Sequence, residues 1–102
     1  MMDALLIHRA TLYPYLRQGS GGPLYGAPEE RQCRMEPGLR DKVVYKDASG
    51  IIHETVSGML MFCRGDPIPV LSRVIWEGLE MRVVRCREMM GMGRHHLEVD
   101  LE

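Results

Sequence analysis

The sequence predicts an all-β fold, a small antiparallel β-barrel of about six or seven strands with long loops. Three observations predict it. Apolar residues recur with period two, the period of a half-buried strand, and not 3.6. Clusters of Gly, Pro, Asp and Ser interrupt the runs at short intervals, which is where chain reversals fall. No segment carries the i, i+3, i+4 apolar stripe of an amphipathic helix. The 102 residues suit one domain spanning 1–102, with room for a single modest core and none for a large enclosed substrate pocket.

Taken in order, Leu5 to Tyr15 reads as a first strand with Leu5, Ile7 and Leu12 on one face, and Pro14 confines it to an edge or an end. Gln18 to Pro28 holds four glycines and two prolines in eleven residues and reads as a long mobile loop. Arg31 to Glu36 is a short strand closed by Pro37-Gly38. Lys42 to Lys46 is a strand with Val43 and Tyr45 on one face, followed by the turn Asp47-Ala48-Ser49-Gly50. Ile51 to Cys63 returns, with Ile52, Val56, Leu60 and Phe62 on the core face and His53, Thr55 and Ser57 opposite. Gly58 marks a bend.

Arg64 to Pro69 breaks the pattern. Val74-Ile75-Trp76 and Leu79 to Val83 then flank Glu77-Gly78, a tight hairpin in which Leu79, Met81 and Val83 face the core. Met89 to Gly93 reads as a loop. The last strand alternates most cleanly, with His95, Leu97, Val99 and Leu101 inward and His96, Glu98, Asp100 and Glu102 outward. That parity packs His95 and leaves His96 in solvent.

Composition excludes several functions. A formal charge of −1, from 13 basic and 14 acidic residues, argues against a broad nucleic-acid surface, which needs a basic excess. No run of ~18 apolar residues exists to span a membrane, and Ala4 to Ile7 is shorter than the ~7–15 residues of a signal-peptide core, so secretion is not expected. Cys33, Cys63 and Cys86 are odd in number and widely spaced, which suits reduced thiols packed in strands rather than a disulfide framework or a zinc site. Gly19-Ser20-Gly21-Gly22 lacks the Lys-Ser/Thr pair and the helix that would make a phosphate loop. His95-His96 are strand neighbours pointing to opposite faces and do not chelate one ion together. No cysteine is marked by a nearby base. The reading is therefore of no catalytic site, no cofactor and no metal. Arginine outnumbers lysine eleven to two and methionine occurs nine times, a bias shared by protein interface cores and by genomes rich in Arg codons.

Several stretches, in order, carry a resemblance. They are His8-Arg9-Ala10-Thr11-Leu12-Tyr13, the Gly-rich segment with Leu24-Tyr25-Gly26, Cys33-Arg34-Met35-Glu36-Pro37, and the turn Asp47-Ala48-Ser49-Gly50. Arg64-Gly65-Asp66-Pro67-Ile68-Pro69, the hairpin Ser72 to Val84 and the ending His95 to Leu101 complete the series. In this pattern of strands and turns the chain resembles the small head-closure proteins of long-tailed bacteriophages, also described as minor capsid or head–tail joining proteins. Trp76-Glu77 and the Met-rich stretch 89–92 depart from it.

The resemblance implies a structural role without catalysis. Such proteins assemble as a ring, hexameric or dodecameric on its template, below the portal and its adaptor. The ring closes the DNA-filled head and carries the tail-joining protein. It implies a place at the virion head–tail interface, host bacterial cytoplasm during assembly, no membrane, and contact with packaged double-stranded DNA. A templated ring of weakly self-associating subunits is compatible with a monomer in dilute solution. In some relatives the segment corresponding to Gly38–Thr55 projects into the channel and gates it. Arg40, Lys42, Lys46 and His53 are accordingly the candidate channel-facing cations, and Gly19, Gly22, Leu24 and Tyr25 the candidate contact with a neighbour or the adaptor. The alternative is a generic small barrel of OB or SH3-like kind that binds nucleic acid or protein, for which Tyr13, Tyr15, Tyr25, Tyr45, Phe62 and Trp76 are few stacking positions, Phe62 being assigned to the core. A third reading, a small Cys/His enzyme, requires a thiol of perturbed pKa.

Overall fold

A computed structural model describes residues 6–37, 42–91 and 94–102. The described residues form ten strands: β1 (His8–Tyr13), β2 (Tyr15–Gly19), β3 (Gly22–Tyr25), β4 (Glu29–Pro37), β5 (Lys42–Lys46), β6 (Ile52–Val56), β7 (Met59–Cys63), β8 (Arg73–Trp76), β9 (Leu79–Gly91) and β10 (Arg94–Leu101). Six of them close an antiparallel barrel in the order β1-β4-β7-β10-β9-β8, the β1–β8 pairing completing the circuit. The other four make two satellite hairpins, β2-β3 and β5-β6. The barrel strand count falls in the expected range.

The barrel interior is filled by Ala10, Leu12, Cys33, Met35, Met61, Cys63, Val74, Met81, Val83, Leu97, Val99 and Leu101. These residues alternate along their strands with outward ones, which is the periodicity read from the sequence. Closure matters energetically, because each barrel strand has a neighbour on both sides and the barrel has no edge strand. The β8–β9 reversal is the tight turn expected. Trp76 pairs with Leu79, and Glu77 and Gly78 sit at φ of 50° and 79°, positive at both central positions as a type I′ turn requires.

Several expectations are corrected. Gln18 to Pro28 is not a free loop: β2 and β3 pair from Tyr15↔Tyr25 to Gly19↔Gly22, extending the β1–β4 ladder beyond Pro14. The inward face of β1 carries Ala10 and Leu12, while Ile7 is exposed; the odd-numbered parity is the outer one, and Leu5 lies outside the described residues. Ile51 to Cys63 is two strands in two sheets. Ser57 and Gly58 break it, Ser57 bonding the carbonyl of Met59 and the Gly58 amide that of Leu101. The register of β7 is thereby reset, so Met61 and Cys63 point inward, Ile52 and Val56 are exposed and Phe62 is half-buried on the outer face.

Leu79 is half exposed, because it lies beside the turn and beyond the barrel's end. β9 continues through Met89 and Met90 to Gly91, where the sequence suggests a loop, pairing Met89 with His96 and Met90 with His95; Met92 and Gly93 lie outside the described residues. The histidines are reversed from expectation. His95, although on the inward parity, lies past the barrel's end and pairs with Glu88 at 3.2 Å, whereas His96 is the more buried and approaches Glu98 at 3.4 Å.

One irregularity positions the second hairpin. Arg85 pairs with Asp100 but Val83 pairs with Leu101, so Val84 is an extra residue, a β-bulge. Its side chain is buried with Val43 and Tyr45 of β5, and with Val70 and Leu71, in a second small core. The β5-β6 hairpin thus rests on the barrel through the face read from the sequence as apolar.

Candidate functional site

The β5-β6 hairpin is an antiparallel ribbon running from Lys42↔Val56 to Lys46↔Ile52. Its turn is built by Asp47. The carboxylate accepts hydrogen bonds from the amides of Ser49 (2.8 Å) and Ile51 (3.0 Å), Gly50 takes φ of 81°, and Asp47 also bonds His53 at 2.7 Å. His53 therefore holds the Asp47 carboxyl below its ordinary pKa, helped by the two turn amides.

In a ribbon, successive side chains alternate between faces. One face carries Val43, Tyr45, His53 and Thr55 toward the barrel. His53 stacks on Tyr45 with ring centroids 5.3 Å apart and 19° between planes. The Tyr45 hydroxyl accepts a bond from Arg82 at 3.1 Å, and the Thr55 hydroxyl donates to Glu102 at 2.6 Å. Arg82 pairs with Glu102 at 2.6 Å and lies over the Tyr45 ring at 5.6 Å. Arg82 of β9 and Glu102, which follows β10, thus clamp both strands of the hairpin.

The opposite face carries Lys42, Val44 and Lys46 on β5 with Ile52, Glu54 and Val56 on β6. Val44, Ile52 and Val56 are 64%, 65% and 48% exposed, three aliphatic side chains presented together to solvent. Lys42 is bridged to Glu54 at 3.3 Å.

The structure divides the candidate cations. Lys42 and Lys46 share the outward face, His53 is turned to the barrel side and tied to Asp47, and Arg40 lies outside the described residues. The outward aliphatic trio is absent from the sequence-based candidates. Its signal is the parity of Val44, opposite to Val43 and Tyr45, which the run Lys42-Val43-Val44-Tyr45-Lys46 already contains.

The β2-β3 hairpin holds Gly19, Gly22, Leu24 and Tyr25 together. Gly19 and Gly22 are the last register pair around Ser20-Gly21, and Gly22 at φ 127° takes a conformation that side chains disfavour. Leu24 and its neighbour Leu16 are exposed. Tyr25 meets Tyr15 edge-on at 6.3 Å. Beside the β2-β3 hairpin runs a groove of about 300 Å³ lined by Tyr25, Leu71, Arg73, Glu80, Arg82 and Glu102. Its guanidiniums are matched, Arg73 to Glu80 at 2.7 Å and Arg82 to Glu102.

The thiols sit in the barrel. Cys33 and Cys63 are register partners across β4 and β7, both buried and both free. Burial and the neighbouring Cys63 push Cys33 up to about 11. Burial also raises Cys63, against the lowering effect of Arg31 at 3.9 Å. Thiols so protonated are poor nucleophiles at neutral pH. Among the described residues no group of three His, Cys, Asp or Glu side chains could hold a metal ion, and no helix is long and apolar enough to cross a membrane.

Compared with known proteins, the chain matches no family model and no curated sequence at a significant level of similarity.

Proposed function

We propose that this chain is a head-closure subunit, a structural protein that assembles as a ring below a phage portal and its adaptor, retains the packaged DNA and offers the platform for the tail. The carrying observation is the contrast between barrel and hairpins. The barrel closes on itself, each of its strands pairing with two neighbours. Among the described residues, the strands β2, β3, β5 and β6 each pair on one side only, and the hairpins hold the exposed Leu16, Leu24, Val44, Ile52 and Val56. Unpaired edges beside exposed aliphatic side chains are a liability in an isolated monomer and an asset in an assembly.

Two different patches on one subunit suit a heterologous, head-to-tail contact, the kind that closes into a ring by rotation. The reading assigns the outward face of β5-β6 to a contact with a neighbouring copy and the β2-β3 hairpin to a neighbour or the adaptor. Lys42 and Lys46, on that same outward face, then flank the contact between copies rather than face DNA in the channel, and His53 serves the hairpin's own turn. The order of strands and turns that resembles head-closure proteins agrees with this reading.

The test is electron microscopy of particles made with and without the gene product. Loss of the protein is expected to give DNA-filled heads that leak and carry no tails, and adding purified protein restores joining. Normal joining of heads and tails without it overturns the proposal and favours a small barrel that binds nucleic acid or protein.

A further inference from the structure

We infer that the outer cleft between β1, β4 and the end of β7 is a binding site for a phosphoryl oxyanion, independent of the hairpins and of the head-closure reading. The cleft has a volume of about 480 Å³ and is lined by Leu6, Arg9, Glu30, Arg31, Gln32 and Arg64. Three guanidiniums and one amide stand against the Glu30 carboxylate of the lining and the Glu29 carboxylate bonded to Arg31, a local net of +1 by formal charge on a chain whose total is −1.

The strand register brings these groups together. Arg9 is the partner of Gln32 across β1 and β4. Cys33 is the partner of Cys63 across β4 and β7, which sets Arg64 beside Gln32 one residue on. Arg9, Gln32 and Arg64 therefore form one row across the barrel wall, from β1 through β4 to the end of β7. Arg31 underlies the row and is held in place. Its side chain is only 14% exposed and bonds Glu29 at 3.0 Å, and its Nη1 donates to the Asp66 carbonyl at 3.0 Å. Gly65 takes the positive φ of 104° that turns the chain beside it, within van der Waals reach of the Arg31 guanidinium.

A guanidinium fork matches phosphate oxygens in a bidentate way that lysine does not, and a guanidinium fixed before binding loses less side-chain entropy on contact. Arg9 bridges Glu30 at 3.1 Å, a pair exposed on both sides, and exposed pairs contribute little and exchange readily. A tetrahedral dianion can displace Glu30 from Arg9 and be shared with Arg31 and Arg64. The same chemistry is presented by free phosphate or pyrophosphate and by the backbone of a nucleic acid.

The test is a titration of the full chain, followed by amide and arginine Nε resonances, with inorganic pyrophosphate and separately with a short DNA duplex. Pyrophosphate is expected to shift Arg9, Gln32, Arg31 and Arg64. The double variant Arg9→Gln/Arg64→Gln is expected to weaken binding at least tenfold, and Lys42→Gln/Lys46→Gln to leave it unchanged. Arg64→Gln alone, with an unaltered melting temperature, guards against loss of fold. If the duplex shifts the same residues, with a salt slope that falls by about 0.9 for each phosphate the arginine variant no longer neutralises, the backbone is a source of the oxyanion. If only pyrophosphate binds there, the source is a free phosphate compound. No shift in the cleft with either probe, or binding unaffected by the arginine substitutions, overturns the inference.

Discussion

Arg82 and Glu102 are joined three times. The Arg82 amide donates to the Glu102 carbonyl at 3.0 Å, the Glu102 amide donates to the Arg82 carbonyl at 2.9 Å, and the side chains meet at 2.6 Å. Through Tyr45 and Thr55 the same two residues grip the β5-β6 hairpin. The pair fixes Glu102 to β9 and the hairpin to the barrel, so the outward face of the hairpin is presented at a set angle.

This clamp is sensitive to acid. The Thr55 hydroxyl and the Arg82 guanidinium hold the Glu102 carboxyl below its ordinary range, against the opposing effect of burial. A carboxylate depressed in the folded state stabilises the fold above its unfolded pKa, and that contribution disappears as pH falls through the folded value. Glu102→Gln is expected to lower stability by about 1 kcal/mol at neutral pH. Urea melts at pH 7 should separate variant from wild type, and the gap should narrow as pH falls through the acidic range.

Val84 carries the second core. Val84→Ala removes two methyl groups from beneath Val43 and Tyr45 and is expected to cost about 1–2.5 kcal/mol. The cost should appear as faster amide exchange in β5 and β6 with little change in β1, β4 and β7. Leu97→Ala, at a fully buried barrel position, is expected to cost about 2–5 kcal/mol and to speed exchange throughout the barrel.

Glu77 stands in a left-handed conformation that Asn adopts at lower cost. Glu77→Asn is expected to raise stability by about 0.5 kcal/mol, and Gly78→Ala, at φ 79° with open space around it, to lower it by about 1 kcal/mol. Thermal melts read both, at roughly 4–8 °C for each kcal/mol.

The three cysteines should separate by reactivity. Cys86 is half-buried, whereas Cys33 and Cys63 are enclosed in the barrel. With a disulfide reagent at pH 8, one thiol per native chain is expected to react and the other two only after denaturation. Fast reaction of all three would show that the barrel opens readily.

The alternation of His95 to Leu101, the turns at Asp47 to Gly50 and at Glu77-Gly78, and the shared face of Val43 and Tyr45 are legible in the sequence because each is a local pattern. Sequence and structure part where tertiary context resets a strand. Ile52 and Val56 share parity with Leu60 and Phe62 along the sequence, but Ser57 and Gly58 divide the run, and the two halves enter different sheets. The Gly-rich segment forms a hairpin because β1 and β4 pair at its base and bring its ends together, information that lies in neither end alone. His95 and His96 follow strand parity correctly, yet their burial depends on where the barrel stops.

The site is legible in part for the same reason. Lys42, Lys46 and His53 lie on one hairpin, as their spacing suggests, but the ribbon's alternation sends His53 to the barrel and the lysines to solvent. The Arg9, Gln32 and Arg64 row joins residues far apart in sequence, and only the register of β1, β4 and β7 reveals it.

The central claim is that the outward face of β5-β6 is an assembly surface on a ring-forming subunit. Its most direct measurement is electron microscopy of particles completed with wild-type protein or with Val44→Lys/Ile52→Glu, two substitutions at exposed positions whose register partners are Glu54 and Lys46, so that the new charges are matched across the ribbon and the fold is retained. The account predicts a ring of density at the tail-bearing vertex with wild-type protein, and no ring and no tails with the variant. A complete ring formed by the variant, or no ring with wild-type protein, would contradict it.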